Sequence, residues 1–200
     1  MYYSVSDGHG LPYNPFKAII APRPIGWISS LGADGSVNLA PYSFFNAVGA
    51  NPPIVMFSSE EPKDSLANIE ETGEFACNFV GESLIHEMSA TSATVPRDVN
   101  EFELAGLEMA KCEQINAPRV QKAHSALECK VTNILRQKDI NGVETDLWTV
   151  FGQVVGVHIS EDVLTNGRFD LTKAKPVARL GYRDYTVVRE IFELKRPDQN

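Results

Sequence analysis

The sequence predicts a mainly β protein, a small antiparallel barrel that carries a few short helices. Two turn signals support this fold class. Asp34-Gly35 and Asn141-Gly142 each separate two runs of strand-forming residues, and both dipeptides favour tight hairpins. Strands follow one another at short spacing, whereas a doubly wound parallel sheet needs regular alternation of strands and helices. We therefore predict one domain of this class over residues 1–200.

The first half of the chain is predicted to supply four strands and one helix. The apolar patterns place the strands at 25–31, 37–48, 54–58 and 75–80. Between the last two, Asp64 or Ser65 is expected to cap a helix that runs to about Glu71. Gly73 follows as the left-handed stop of that helix.

The second half of the chain is predicted to close the sheet. Apolar residues at helical spacing indicate short surface helices at 82–91 and 99–105, as insertions over the barrel. A strand-rich block then covers residues 126–159. Within it, strands at 130–140 and 145–158 flank the Asn-Gly turn and form a second hairpin.

Charge and residue pattern exclude two classes of partner. A net charge of -8, from 18 basic and 26 acidic side chains, gives no attraction to nucleic acid or to an anionic lipid surface. Residues 36–59 carry no charged side chain, but their asparagines and prolines would be costly in a lipid-facing helix, so we expect no membrane span. The first residues lack the pattern of a signal peptide, and we expect a cytoplasmic protein.

The cysteines and histidines form no recognisable catalytic or metal motif. Cys77, Cys112 and Cys129 are too widely spaced for a disulfide framework or a clustered zinc site, so we predict reduced core residues. The four histidines also stand far apart, and the sequence has no phosphate-loop lysine motif, no complete dinucleotide fingerprint and no Gly-x-Ser-x-Gly elbow. We predict neither a metal site nor a catalytic side chain.

The uncharged block combines neutral hydrogen-bonding groups with aromatic rings. The neutral groups belong to Asn38, Tyr42, Ser43, Asn46, Ser58 and Ser59. This combination suits a planar heterocycle, which needs apolar walls for its faces and hydrogen bonds along its polar edge. Lys63-Asp64-Ser65 adds a lysine, a hydroxyl and the first amides of a helix, which favour a phosphate. The alternative is structural: the phenylalanines are ordinary core, and Asp64-Ser65 only caps the helix.

Ordered motifs along the chain resemble the flavin reductase-like domain family. They are A-P-R-P-I-G-W-I-S-S at 21–30, N-L-A-P-Y-S-F-F-N at 38–46, Pro52-Pro53, Lys63-Asp64-Ser65 with Asn68-Ile69, Glu74-Phe75 with Asn78, Glu101-Phe102, Glu128-Cys129 and A-R-L-G-Y at 178–182. These motifs extend over roughly residues 15–195. As an ordered set they are far more specific than any single motif.

The resemblance implies an FMN-binding split β-barrel, Greek-key-like and antiparallel, which forms a homodimer with FMN in a groove near the subunit interface. The residues it implies are Ser29, Ser30 and Asn38 for the ribityl and phosphate side, Ala40, Pro41, Tyr42, Ser43, Phe44 and Phe45 along the isoalloxazine, and Lys63, Asp64 and Ser65 at the phosphate end. Arg179 and Tyr182 are expected to complete the pocket, and for Arg179 an ion pair that closes the barrel is the alternative.

The expected activity is flavin reduction by NADH or NADPH, with hydride transfer to the isoalloxazine N5. Hydride transfer between two cofactors needs orientation rather than a side-chain proton donor, so the lack of a catalytic pair is no objection. The expected acceptors are free flavin, a small molecule, or a monooxygenase or other redox partner. The alternatives are an FMN-bound electron carrier like flavoredoxin, a non-catalytic flavin-binding module, and a dimeric interaction module whose interface is the uncharged block.

Overall fold

A seven-stranded antiparallel sheet forms the centre of the computed structural model, which describes residues 1–197. The strands are β1 (Arg23–Pro24), β2 (Gly26–Leu31), β3 (Val37–Tyr42), β4 (Phe45–Ala50), β5 (Pro53–Glu60), β6 (Glu74–Asn78), β7 (Met109–Ala110), β8 (Arg119–Val120), β9 (Ser125–Lys138), β10 (Glu144–Ile159), β11 (Leu164–Thr165), β12 (Arg168–Phe169), β13 (Val177–Arg179) and β14 (Tyr185–Val187). The large sheet has the order β3-β2-β6-β9-β10-β5-β4. The prediction of a mainly β, antiparallel fold is confirmed.

The helices are short and lie between or over the strands. They are α1 (Phe16–Ile19), α2 (Asp64–Thr72), α3 (Ile85–Ala90), α4 (Glu101–Leu104) and α5 (Leu171–Ala174), with 3-10 turns at Val5–Asp7, Glu82–Leu84 and Glu161–Val163. Among the described residues, no helix has the length and apolar character that crossing a bilayer requires.

The strand order forces the sheet to curl. β3 and β4 are its two outer strands, yet only Ser43 and Phe44 separate them in sequence. In a flat sheet, seven strands about 4.8 Å apart would hold the outer strands about 29 Å from each other. The three residue steps from Tyr42 to Phe45 reach at most about 11 Å. The sheet therefore closes on itself, and the barrel is open where the chain passes from one edge strand to the other.

Both predicted hairpins are present. β2 pairs with β3 and β9 pairs with β10, both antiparallel. Their turns contain Gly35 at φ +84° and Gly142 at φ +81°, a left-handed conformation that glycine adopts without strain. The second hairpin is longer than predicted, since β9 begins at Ser125 and β10 ends at Ile159.

Two local predictions were wrong. The predicted strand at 37–48 is two strands, because the chain turns at Ser43-Phe44 to reach the other edge of the sheet. The helix α2 does not take its cap from Asp64 or Ser65: its N-cap residue is Lys63, and no side chain of the described chain caps it. The predicted stop is confirmed, with Gly73 in the left-handed conformation at φ +70°.

Apolar residues pack on both faces of β2. Inside the barrel, Ile28 belongs to one cluster with Phe57 and Phe75, whose rings meet edge to face with centroids 5.5 Å apart. On the outer face, Trp27 belongs to a second cluster that α3 and α4 cover. The indole nitrogen of Trp27 donates to the hydroxyl of Thr91 at 2.9 Å, which ties the end of α3 to the barrel. The helices predicted at 82–91 and 99–105 thus form the second layer of the core.

The cysteines are free, as predicted. Cys77 and Cys129 are buried in the barrel core, and Cys112 is half-buried. Burial raises the pKa of Cys77 and of Cys112 to about 12, so both thiols stay protonated near neutral pH.

Candidate functional site

A groove of about 540 Å³ opens where β3 leaves the barrel. Small-molecule sites in proteins usually measure about 300 to 1,000 Å³, so a cofactor-sized ligand fits this volume. The residues that line it are Lys17, Asn38, Ala40, Pro41, Tyr42, Ser43, Phe44, Ser58, Glu60, Glu61, Pro62, Lys63, Asp64, Ser65, Thr91, Ser92, Ala93, Thr94, Val95 and Glu101. The groove is thus bounded by β3, β5, the start of α2, the loop after α3, and α4.

Most of the predicted site residues meet in this groove. They are Asn38, Ala40, Pro41, Tyr42, Ser43, Phe44, Ser58, Lys63, Asp64 and Ser65. Two distant stretches of sequence, the end of β3 and the start of α2, come together because both flank the opening of the barrel.

A hydrogen-bond network fixes the floor of the groove. The Ser65 hydroxyl donates to the side-chain oxygen of Asn38, whose Nδ2 donates to Glu101 Oε1 at 2.8 Å. The backbone N–H of Leu39 donates to the other oxygen of Glu101 at 3.0 Å. These partners hold Asn38 and Ser65 in one orientation before any ligand arrives, which lowers the entropic cost of binding.

Glu101 is a buried acid at this floor, with 5% of its surface exposed. Burial raises the pKa of its carboxyl, although the hydrogen bonds from Leu39 and Asn38 oppose that shift. Each of its two oxygens accepts a hydrogen bond from β3, which fixes the carboxyl group against that strand.

The Tyr42 hydroxyl is an unpartnered donor at the wall of the groove. The Tyr42 ring packs on Phe57 with centroids 4.7 Å apart, and burial raises the pKa of its phenol. The hydroxyl lies near those of Ser59 and Ser65, but within residues 1–197 it makes no hydrogen bond of acceptable geometry. Leaving a buried hydroxyl unpaired costs about 1–3 kcal/mol, which a ligand acceptor in the groove would offset.

Lys63 and the first turn of α2 form one end of the groove, which Glu60, Glu61 and Asp64 also line. Lys63 precedes the helix, and its exposed ammonium forms no ion pair within the described chain. Asp64 pairs with Arg97 at 3.3 Å, and Arg97 also pairs with Asp34 at 3.6 Å. Because no described side chain caps α2, its first N–H groups remain open to an anion, and the helix dipole favours negative charge there.

A second cavity of about 210 Å³, here called the annex, adjoins the β3 part of the groove. The residues that line it are Lys17, Arg23, Ile25, Pro41, Ser43, Met88, Ser92, Arg179, Leu180, Tyr182 and Tyr185. The structure thus places Arg179 and Tyr182 beside the groove rather than in it. Arg179 donates to the Tyr185 hydroxyl and, at 2.6 Å, to the Tyr182 carbonyl. Among residues 1–197 it forms no ion pair that closes the barrel.

Ser29, Ser30 and Phe45 lie outside the groove. Ser29 is fully buried and donates to the Pro118 carbonyl at 2.5 Å, while Ser30 accepts from the Asn68 amide at 3.2 Å. Their hydroxyls are satisfied by protein because β2 is buried on both faces. The geometry therefore does not bring these serines to a ligand. Phe45 is the first residue of β4 and lines two other cavities.

Several residues of the groove were not predicted from the sequence. Lys17, from the short helix α1, lies 5.3 Å from the centre of the Phe44 ring and pairs with Glu60 at 3.6 Å. Residues 91–95, after α3, form one wall. Glu101 had a signal, since Glu101-Phe102 belongs to the family-like motifs, but only the structure shows its contacts with Asn38 and Leu39.

One side-chain cluster away from the groove has metal-ligand chemistry. Cys112, Glu128 and His158 hold their ligand atoms within 4.8 Å of one another. Both oxygens of Glu128 are already engaged, by the backbone N–H groups of Glu113 at 2.9 Å and Gln114 at 2.6 Å and by His158 at 2.5 Å. Burial opposes ionisation of Glu128, but these donors outweigh it and lower its pKa. The cluster clamps residues 112–114 to the barrel.

Comparison with known proteins places the chain among flavin-related proteins. The model of the flavin reductase-like domain matches residues 20–184. A protein from Aquifex aeolicus is 34% identical over 186 residues, which cover 90% of this chain and 91% of the relative.

Solved structures agree in fold over nearly the whole chain. Nitrilotriacetate monooxygenase component B from Bacillus cereus is 31% identical, with a TM-score of 0.84 over 94% of this chain and 100% of that one. The 2-nitrobenzoate 2-nitroreductase NbaA from Pseudomonas fluorescens is 27% identical, with a TM-score of 0.87 over 100% of this chain and 98% of that one. A protein from Shewanella frigidimarina, described as a flavin reductase with a split barrel domain, is 24% identical, with a TM-score of 0.84 over 98% of this chain and 99% of that one. The predicted split-barrel fold is confirmed.

Replacing Glu101 by Gln tests the acid at the floor. Its raised pKa means that the native protein keeps this proton to higher pH than the unfolded chain does. Its contribution to the free energy of unfolding is therefore complete below the ordinary carboxyl pKa of about 4.3 and is lost as pH rises through the native pKa. Urea unfolding should show the stability of the wild type falling relative to E101Q as pH rises over this window. The control is Glu103→Gln, because Glu103 lies on the same helix and is exposed.

A stability difference between wild type and E101Q that stays constant with pH, or that changes in the same way for E103Q, would contradict this assignment.

Proposed function

Because the chain belongs to the flavin reductase-like domain family, we propose that it is an FMN-binding oxidoreductase that reduces flavin with NADH or NADPH. The observation that carries the proposal is the groove at the split of the barrel. Its wall holds a buried, unpartnered Tyr42 hydroxyl, and one end is an uncapped helix N-terminus beside Lys63. A planar ring with a phosphate tail matches these two parts, a neutral wall and an end with free helix N–H groups beside a lysine.

The two parts of the groove suit the two ends of FMN. Pro41, Tyr42 and Phe44 supply apolar walls, while Asn38 and the neighbouring serines supply neutral donors and acceptors. At the other end, Lys63 and the first amides of α2 suit a phosphate. These residues fit the cofactor that the family implies.

The chemistry of the reaction comes from the cofactor, which accepts a hydride at the isoalloxazine N5 when bound. The residues of this chain bind and orient. The floor network holds Asn38 and Ser65 in place, and Lys63 supplies a positive charge that forms no ion pair within the described residues. No side chain has to donate or take a proton for hydride transfer, so the groove needs no catalytic pair.

The names of two relatives support a proposal for the electron acceptor. Nitrilotriacetate monooxygenase component B is, by its name, one component of a monooxygenase, and NbaA is a nitroreductase. We propose two kinds of electron acceptor for this chain, a monooxygenase or other redox partner and a small molecule. A permanently FMN-bound electron carrier and a non-catalytic flavin-binding module are the alternatives that experiments must separate.

We also propose a homodimer. The long hairpin exposes apolar side chains on one face of β10, at Val155, Val157 and Ile159. A contiguous exposed apolar strip of this kind is typical of a subunit interface. It is a separate surface from the groove, whose lining contains none of these residues.

Anaerobic titration of the FMN-loaded protein with NADH, and then with NADPH, tests the proposed activity. We expect loss of the oxidised flavin absorbance within the mixing time of a conventional experiment. A protein that stays yellow with both nucleotides, but is bleached by dithionite, would contradict the reductase and favour a carrier or a binding module.

Replacing Lys63 by Ala tests the phosphate end. A charge-assisted hydrogen bond contributes about 1.5–3 kcal/mol, so K63A should bind FMN roughly 10- to 100-fold more weakly, while riboflavin, which lacks the phosphate, should bind nearly as before. Flavin fluorescence titration measures both affinities. Lys122→Ala is the control, because Lys122 is exposed and outside the groove. Equal loss for both flavins would refute the role of Lys63.

The dimer is tested by the dependence of stability on concentration. For a dimer that dissociates as it unfolds, the midpoint of thermal unfolding should rise with protein concentration, and Val157→Lys should lower the sedimentation mass toward that of one chain. Leu104→Lys, an exposed apolar position on α4, is the control. A monomer mass for the wild type with a concentration-independent midpoint would rule the dimer out.

A further inference from the structure

We infer that the annex binds the anionic group of the second substrate, a carboxylate or a phosphate, next to the flavin groove. The inference rests on the proposed function, because it assumes that the second substrate meets the flavin from this side. The annex shares Lys17, Pro41, Ser43 and Ser92 with the groove, so a molecule held there lies against the β3 wall.

The annex is cationic. Three basic side chains line it, Lys17, Arg23 and Arg179, and no Asp or Glu of the described chain does. Lys17 pairs with Glu60 outside the annex at 3.6 Å, whereas neither arginine forms an ion pair within residues 1–197. Arg23 and Arg179 lie directly opposite each other in the β1–β13 pair, and both line the annex. Like charges this close repel each other, and an anion between them would relieve the repulsion.

Arg23 is unusual because it is buried. Only 5% of its surface is exposed, and its guanidinium donates to three carbonyls, those of Lys17, of Ile20 at 3.0 Å and of Leu180 at 2.9 Å. Its Nε is buried and has no partner within residues 1–197. Burial and the charge of Arg179 lower the pKa of Arg23. A buried charge without an acidic counter-ion is costly, and a bound anion supplies that counter-ion.

Arg179 is held in place to meet an anion. Its guanidinium lies 4.4 Å from the centre of the Tyr185 ring and donates to the Tyr182 carbonyl at 2.6 Å. Tyr182 adopts φ +56°, a left-handed conformation that non-glycine residues rarely take, and its side chain is half exposed. Strain of this kind concentrates at binding sites, where the surrounding structure maintains it.

The other walls of the annex are apolar, which favours an organic anion over a bare inorganic ion. Ile25, Met88 and Leu180 line it together with the two tyrosines. No residue of α2 lines the annex, so it lies apart from the proposed place of the FMN phosphate. The anion therefore belongs to a second molecule. Its sources are the carboxylate of a small organic acid and the phosphate of a nicotinamide dinucleotide.

Replacing Arg179 by Gln tests the annex, with the exposed Arg183→Gln as the matched control and Arg179→Lys as the conservative variant. Calorimetry measures the binding of benzoate, and of its neutral analogue benzamide, to the full-length protein with and without FMN. Steady-state kinetics compares NADH with reduced nicotinamide riboside, which carries no phosphate. Fluorescence titration measures the FMN affinity of each variant separately, so that a failure of flavin binding is distinguished from a failure of the annex.

We expect R179Q to weaken benzoate binding at least about tenfold, R179K to weaken it less, and R183Q to leave it unchanged, with benzamide insensitive throughout. A KM that rises in R179Q for NADH, but not for nicotinamide riboside, would instead identify the dinucleotide phosphate as the anion. Equal benzoate affinities and equal KM values in R179Q and R183Q would overturn the inference. So would a loss of FMN affinity in R179Q that spares riboflavin, since the annex would then hold the FMN phosphate.

Discussion

The structure depends on one constraint: the two edge strands of its sheet, β3 and β4, are joined by only Ser43 and Phe44. So short a link cannot cross a flat sheet of seven strands, and the sheet must curl until its edges meet. The two edge strands do not pair with each other. The opening that results is the groove, with Tyr42 at its wall and the start of α2 at its end.

The same constraint explains how the site is held. β2 lies beside the edge strand β3 and is buried on both faces, so the barrel interior and the helical layer both brace the strand that forms the groove wall. Glu101 of that helical layer reaches across to Asn38 and to the backbone of Leu39. Binding groups are thus oriented by packing and hydrogen bonds rather than by a ligand. Two of the buried polar atoms without a partner in the described chain, the Tyr42 hydroxyl and Arg23 Nε, belong to residues that line the groove or the annex.

Much of the fold could be predicted from local signals. Asp34-Gly35 and Asn141-Gly142 have a turn chemistry that depends on a few residues, and Gly73 ends its helix for the same reason. The motifs that resemble the family also allowed both ends of the groove to be predicted as parts of one site. The predictions that failed concern features that depend on contacts between residues far apart in the sequence. The break of the strand at Ser43-Phe44 follows from strand order, and the burial of Ser29 follows from a layer packed on its far side, neither of which local pattern shows. The charge of the annex depends equally on the β1–β13 pairing.

The most direct test of the central claim, that the split of the barrel is a flavin site, is a crystal structure of the protein soaked or co-crystallised with FMN. We expect the isoalloxazine against Pro41 to Phe44, the Tyr42 hydroxyl in a hydrogen bond with the ligand, and the phosphate at Lys63 and the first turn of α2. Flavin bound elsewhere, or bound here with its phosphate in the annex beside Arg179, would contradict it.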